Sequence, residues 1–235
     1  MLRPSVALVF LTTLLYHAHT ASAGVSTVVV TTTASSAPTA TSTQYTSDSD
    51  FQSSVLDAHN FYRKQHNASN LAWNATSATA AQSWGAKCDF VHSGGPTGEN
   101  LAAGYPNASA SIDAWALERE QYNWNKPGFS EATGHFTQVV WGNTTSVGCS
   151  RQSCQGANGT PGWFVVCEYY PAGNVVGNGN LYFEWNVKKL VDGKLTDTVE
   201  SGVSLSAAQG MAQLVDWATV LVGMAAFVVA SDLTL

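Results

Sequence analysis

Apolar positions along "SSVLDAHNFYRKQHN" (53–67) recur at helical spacing, so Val55, Leu56, His59, Tyr62 and Arg63 fall on or near one stripe. The stretch "ASIDAWALEREQYNW" (110–124) repeats the pattern, with Ile112, Trp115, Glu118 or Arg119, and Tyr122 on one face. Two helices are predicted there. "GHFTQVVW" (134–141) reads as extended: alternation puts His135, Thr137, Val139 and Trp141 on one side and Phe136, Gln138 and Val140 on the other. "GWFVVCEYY" (162–170) alternates like a strand, and "QGANGTPG" (155–162) before it reads as a turn. "HSGGPTGENLAAGY" (92–105) places Glu99 after a glycine-rich turn, where a carboxylate would cap the start of a short helix.

Four polar groups stand out because they sit beside apolar neighbours. His59 occupies a core position of its helix, Glu118 shares the apolar face of the second, and Glu99 and His135 adjoin apolar runs. Taken singly, each has an ordinary explanation: a hydrogen-bonded core histidine, a solvated helix face, a helix cap. Isolated buried charges are expensive, so the four are expected to converge on one polar cleft and satisfy one another.

Both ends of the 235-residue chain look unlike a folded domain. Residues 1–23 carry Arg3, an apolar run from Val6 to Leu15 and the small-residue site Ala21-Ser22-Ala23, the pattern of a secretory signal peptide. Residues 24–50 are rich in Ser and Thr and are expected to stay extended as an O-glycosylated linker. A single domain is then expected over 51–190, followed by a tail over 191–235. That tail is apolar from Trp217 to Ala230, too short to span a bilayer comfortably. It resembles the processed signal of a glycolipid anchor, with a helix packed on the domain as the other reading. Five N-x-[ST] triplets, at Asn67, Asn74, Asn107, Asn143 and Asn158, point to a secreted glycoprotein. A net charge of −6 with ten Lys and Arg offers no basic patch for nucleic acid or anionic lipid headgroups.

Four cysteines in an oxidising compartment imply two disulfides, with three pairings possible. Facing positions across the hairpin before "GWFVVCEYY" favour Cys154–Cys167, which leaves Cys88–Cys149.

"GHFTQVVW" and "FVVCEYYPAGN" (164–174), supported by "AHNFYR" (58–63), "HSGGPTGENLA" (92–102) and "WALEREQY" (115–122), resemble the signature blocks of the CAP superfamily of cysteine-rich secretory, antigen 5 and pathogenesis-related proteins. The wording most resembles that of secreted fungal members, over about residues 51–190. The resemblance implies an α+β fold, a three-layer α-β-α sandwich with a small antiparallel sheet between helices. It implies a tetrad of His59, Glu99, Glu118 and His135, whose two histidines would bind a divalent cation (Zn, Mg or Ca) weakly. It also implies a lipid-binding loop carrying Tyr122, Trp124 and Phe129, which would take up a sterol or another small hydrophobic ligand. Lys126 departs from the small polar residues common inside that loop. A metal-dependent hydrolase with Glu99 or Glu118 as general base, and a cell-surface protein recognised by a host, are the competing functions.

Overall fold

The computed structural model describes residues 41–200. The signal peptide, most of the linker and the apolar tail lie outside the described residues.

Helix α1 (Thr43–Thr46) leads into α2 (Asp48–Gln65). Ser47 caps α2, its hydroxyl accepting from the Asp50 N–H at 3.3 Å. Asp48 and Asp50 in the first turn and Arg63 and Lys64 in the last match the helix dipole. Residues 43–50 were expected to be extended. They are helical because Tyr45 has somewhere to go: it is buried and stacked on Trp163 with centroids 4.9 Å apart.

After the short strand β1 (Ala72–Trp73), Asn74 caps α3 (Ala75–Gly85), and Asn107 caps α4 (Ala108–Leu117) after β2 (Gly98–Ala103). Each asparagine accepts from an N–H three residues on. A 3₁₀ turn over Glu118–Glu120 ends α4, and another over Glu131–Thr133 precedes α5 (Gly134–Val139). Strands β3 (Ser146–Ser153) and β4 (Trp163–Tyr170) form a hairpin, and α6 (Leu181–Asn186) follows.

The sheet order is β1-β3-β4-β2, antiparallel except that β1 runs parallel to β3. Strand β4 is buried on both faces, and this defines the layers. Phe164 and Val166 point to a small core with Ala81 of α3 and Leu101. Val165, Cys167 and Tyr169 point to the larger core built on α2, α4 and α5. The architecture is therefore a three-layer α-β-α sandwich. Gly148 permits the close seating of α3: a Cβ there would lie 2.1 Å from the Ala78 nitrogen.

Three expectations about local structure are corrected. "GHFTQVVW" is a short helix, with Phe136, Val139 and Val140 wholly buried. A short apolar run carries no periodicity long enough to separate a buried helix from a strand. "GENLAA" is strand β2, whose ladder to β4 claims its backbone groups, so Glu99 caps no helix. The disulfides are Cys88–Cys154 and Cys149–Cys167, replacing the expected Cys88–Cys149 and Cys154–Cys167. Cys149 and Cys167 are directly opposed in the β3–β4 ladder. Cys154 lies just past the end of β3 and reaches Cys88, which follows α3.

The last described residues belong to the fold as well. Buried Arg119 donates to the carbonyls of Lys194, Leu195 and Asp197, and buried Asp113 accepts from the Val199 and Glu200 N–H groups. The packed unit thus runs past residue 190 to residue 200.

Candidate functional site

The four expected residues do not meet. His59 is fully buried and spends both ring nitrogens inside the core: Nδ1 is 2.7 Å from the Val55 carbonyl and Nε2 is 2.8 Å from the Tyr169 hydroxyl. A carbonyl only accepts, so Nδ1 carries the proton and Nε2 accepts from Tyr169. Burial pushes the ring down to about 4, keeping it neutral. With no free nitrogen, His59 has no lone pair to offer a cation.

Its expected place is taken by His92. The His92 Nδ1 lies 2.7 Å from Glu99 Oε1, which also accepts the Ser93 N–H at 2.9 Å. This bond to Glu99 raises the imidazole above its ordinary value. Burial pushes Glu99 upward, but the combined hydrogen bonds outweigh it and the net shift is downward. No stripe of apolar positions marks His92, since it sits in a glycine-rich loop. The available signal was the glutamate seven residues on, brought back by the turn "SGGPTG".

A second pair faces it. Glu118 Oε1 lies 2.6 Å from His135 Nδ1, and Oε2 accepts the backbone N–H groups of His135 and Phe136 at 3.0 and 3.1 Å. Glu118 therefore both orients the ring and satisfies the free N–H groups at the start of α5. Trp115 stacks on His135 at 6.1 Å between centroids.

Glu168 was not among the expected residues. It stands directly opposite Glu99 in the β2–β4 ladder, buried, accepting a short hydrogen bond from the Thr97 hydroxyl. Burial, reinforced by Glu99, pushes Glu168 up to about 7. Glu99 Oε2, across the ladder from it, is buried with no hydrogen-bond partner among the described residues.

His92, Glu99, Phe129, Glu131, His135 and Gln138 line one cleft of about 580 Å³ with several glycines. The Nδ1 of each histidine is committed to a carboxylate, and the Nε2 of each has no protein partner among the described residues. Carboxylate-backed imidazoles are the arrangement that orients a histidine toward a ligand or cation. Among the described residues no three His, Cys, Asp or Glu side chains are grouped as a metal cage. Both expected general bases, Glu99 and Glu118, are engaged by the histidines.

The aromatic loop divides in two. Tyr122 is 5 % exposed, its hydroxyl accepting the Gly128 N–H at 3.3 Å. Trp124 lies flat on His66, with centroids 5.9 Å apart, and meets Phe136 edge-on. These two rings hold the loop to the core. Phe129 is 52 % exposed at the mouth of the cleft. Of the five N-x-[ST] asparagines, Asn67, Asn143 and Asn158 are exposed, while Asn74 and Asn107 are the caps of α3 and α4.

The family described as "CAP: Cysteine-rich secretory protein family" matches residues 56–169. The chain is 47 % identical over 133 residues to "Protein PRY2" of Saccharomyces cerevisiae (strain ATCC 204508 / S288c), covering 54 % of this chain and 39 % of that protein. It is 40 % identical to "Secreted protein RBT4" of Candida albicans (strain SC5314 / ATCC MYA-2876), covering 60 % of this chain and 41 % of that protein. To "Pathogenesis-related protein 1B" of Nicotiana tabacum it is 39 % identical, over 54 % of this chain and 78 % of that one. The chain thus spans about two fifths of these two fungal relatives and most of the plant one. Signature segments, sandwich layers and paired histidines agree: the chain belongs to the CAP, or cysteine-rich secretory protein, family.

Proposed function

We propose that this chain is an extracellular binder of small, mostly apolar molecules of the sterol class. The observation that carries it is Phe129, a large aromatic ring left half in water at the mouth of a glycine-floored cleft while its loop is pinned by Tyr122 and Trp124. A flat ring beside a few oriented polar groups suits a rigid apolar ligand bearing one polar end. Relatives named as secreted proteins support an extracellular location. Attachment through a processed C-terminus would add residence at the cell surface, and release by a phosphoinositide-specific lipase tests that.

The test is sterol binding by the secreted protein. Phe129→Ala should weaken saturable cholesterol binding by roughly tenfold while leaving the thermal midpoint unchanged, because the lost contact is with ligand. Tyr122→Ala and Trp124→Ala should lower the midpoint as well, because both rings pack the core. Unaltered binding by Phe129→Ala would remove the loop tip from the account.

A second reading is favoured by the two free Nε2 atoms. His92 and His135 would hold a divalent cation, with water completing the shell, and its affinity would be low because two protein ligands are few for zinc. Calorimetric titration with zinc, magnesium and calcium, repeated on His92→Ala and His59→Phe, separates the histidines. Loss is expected only in the first, and retention by His92→Ala would dismiss the site.

A further inference from the structure

The segment "VVGNGNLYFEWNVKKL" (175–190) is rich in large apolar residues, and the fold does not bury them all. Phe183 is the buried anchor of α6, meeting Trp141 edge-on at 5.0 Å, and Asn186 accepts the Asn143 N–H. With α6 held that way, Trp185 is left 56 % exposed, with Tyr182 against it at 5.6 Å. Val176 is 66 % exposed, and the adjoining Gly177 lies against the Tyr182 ring. These side chains form an apolar ridge.

Two contacts join that ridge to the aromatic loop. Gly128 abuts the Asn180 side chain immediately before α6. Trp124 lies flat on His66, whose Nδ1 is 2.7 Å from the Lys188 carbonyl immediately after it. Exposed Phe129 follows Gly128 directly, on the loop that touches the segment before the ridge. The overall charge predicts no basic patch, yet Lys126, Lys188 and Lys189, three of the ten Lys and Arg, are exposed on these same two segments, against Glu131 and Glu184.

We propose that this ridge, Val176, Tyr182 and Trp185 with Phe129, docks on a lipid bilayer carrying anionic headgroups. Amphipathic aromatic rings interspersed with lysines match the headgroup region, where rings sit at the boundary and ammonium groups reach phosphate. A second copy of the chain fits less well. A stable dimer buries about 800 Å² a side around a centre depleted of charge, and here exposed lysines share the segments that carry the rings. Docking would bring the mouth of the cleft to the surface from which an apolar ligand leaves a membrane. The surface exists whether or not that ligand is a sterol.

The experiment uses the secreted, glycosylated protein and sterol-free vesicles of phosphatidylcholine with and without phosphatidylserine, so docking is read apart from ligand binding. Co-sedimentation is expected with the mixed vesicles, falling as salt rises, together with quenching of tryptophan emission by brominated acyl chains. Trp185→Ser combined with Val176→Ser should weaken partitioning roughly tenfold and reduce the quenching. Lys188→Glu with Lys189→Glu should weaken it on the anionic vesicles only. None of these four positions is buried, and circular dichroism of each variant checks that the fold is kept. Wild-type protein remaining in the supernatant at low salt would overturn the proposal. So would unchanged partitioning of the Trp185/Val176 variant, or a concentration-dependent dimer in analytical ultracentrifugation that this variant abolishes.

Discussion

His59 and His92 show how one residue type takes opposite roles. His59 lies on the apolar stripe of α2, and a ring there is enclosed on every side, so its two nitrogens are satisfied by Val55 and Tyr169. His92 lies exposed on a loop, and its bond to Glu99 favours the charged ring. Its raised value means the pair contributes stability that is complete below the ordinary histidine range and disappears as pH rises through the folded value. NMR titration should show His92 titrating above a free histidine, and Glu99→Gln should return it toward the ordinary value. Glu168 behaves alike for a different reason: burial raises it to about 7, so the protonated acid is the form the fold prefers. Stability associated with Glu168 is full below about 4.5 and is lost as pH rises through about 7. Glu168→Gln, which removes the titrating group, should make the urea midpoint nearly flat between those limits, where the wild type falls. A wild-type midpoint that does not fall would contradict the raised Glu168.

At the scale of elements, caps and crosslinks matter most. Asn74 and Asn107 each satisfy a free N–H at a helix start, and replacing either by Ala should cost about 1 kcal/mol in denaturant unfolding. Asn74 also donates to the Ser146 hydroxyl, tying α3 to β3, so its loss should be the larger of the two. Hairpin proximity in the sequence favours Cys154–Cys167, but register decides which cysteines oppose each other, and the strand that carries Cys149, β3, has no clear apolar alternation to reveal it. A peptide map under non-reducing conditions should recover Cys88 linked to Cys154 and Cys149 linked to Cys167. The chain-entropy estimate gives the first, with a separation of 66, about 4 kcal/mol and the second, with 18, about 3 kcal/mol. Loss of Cys88–Cys154 is therefore expected to lower the thermal midpoint more.

For the molecule as a whole, the segment after residue 190 acts as a strap. Arg119 is wholly buried with its guanidinium bonded to Gln65 and to three strap carbonyls, and Asp113 is wholly buried with two strap N–H groups. A chain ended at residue 190 would leave these two charges without those partners. Removing one side of such a buried arrangement costs about 3–5 kcal/mol. A chain ended at residue 190 should therefore be less stable by that order than one ended at residue 200. Equal stability of the two would show that the strap carries no weight.

The sequence by itself determined the amphipathic helix α2, the presence of helix α4 (buried on all sides and ending at Leu117, short of the predicted face residues Glu118 and Tyr122), the strand β4 and the family signature, because each is written in residues close together along the chain. Helical and strand periods need no distant partner to be seen. It also supplied Glu99, Glu118 and His135 as polar groups in apolar settings, and Tyr122, Trp124 and Phe129 as a loop of rings. Only the tertiary structure decided that His92 stands where His59 was expected, that "GHFTQVVW" coils, and that Glu168 faces Glu99. It likewise decided which cysteines meet and that the fold reaches residue 200. Each of these depends on strand register or on a contact between segments far apart in sequence, and long-range packing selects among local readings that are nearly equal in energy.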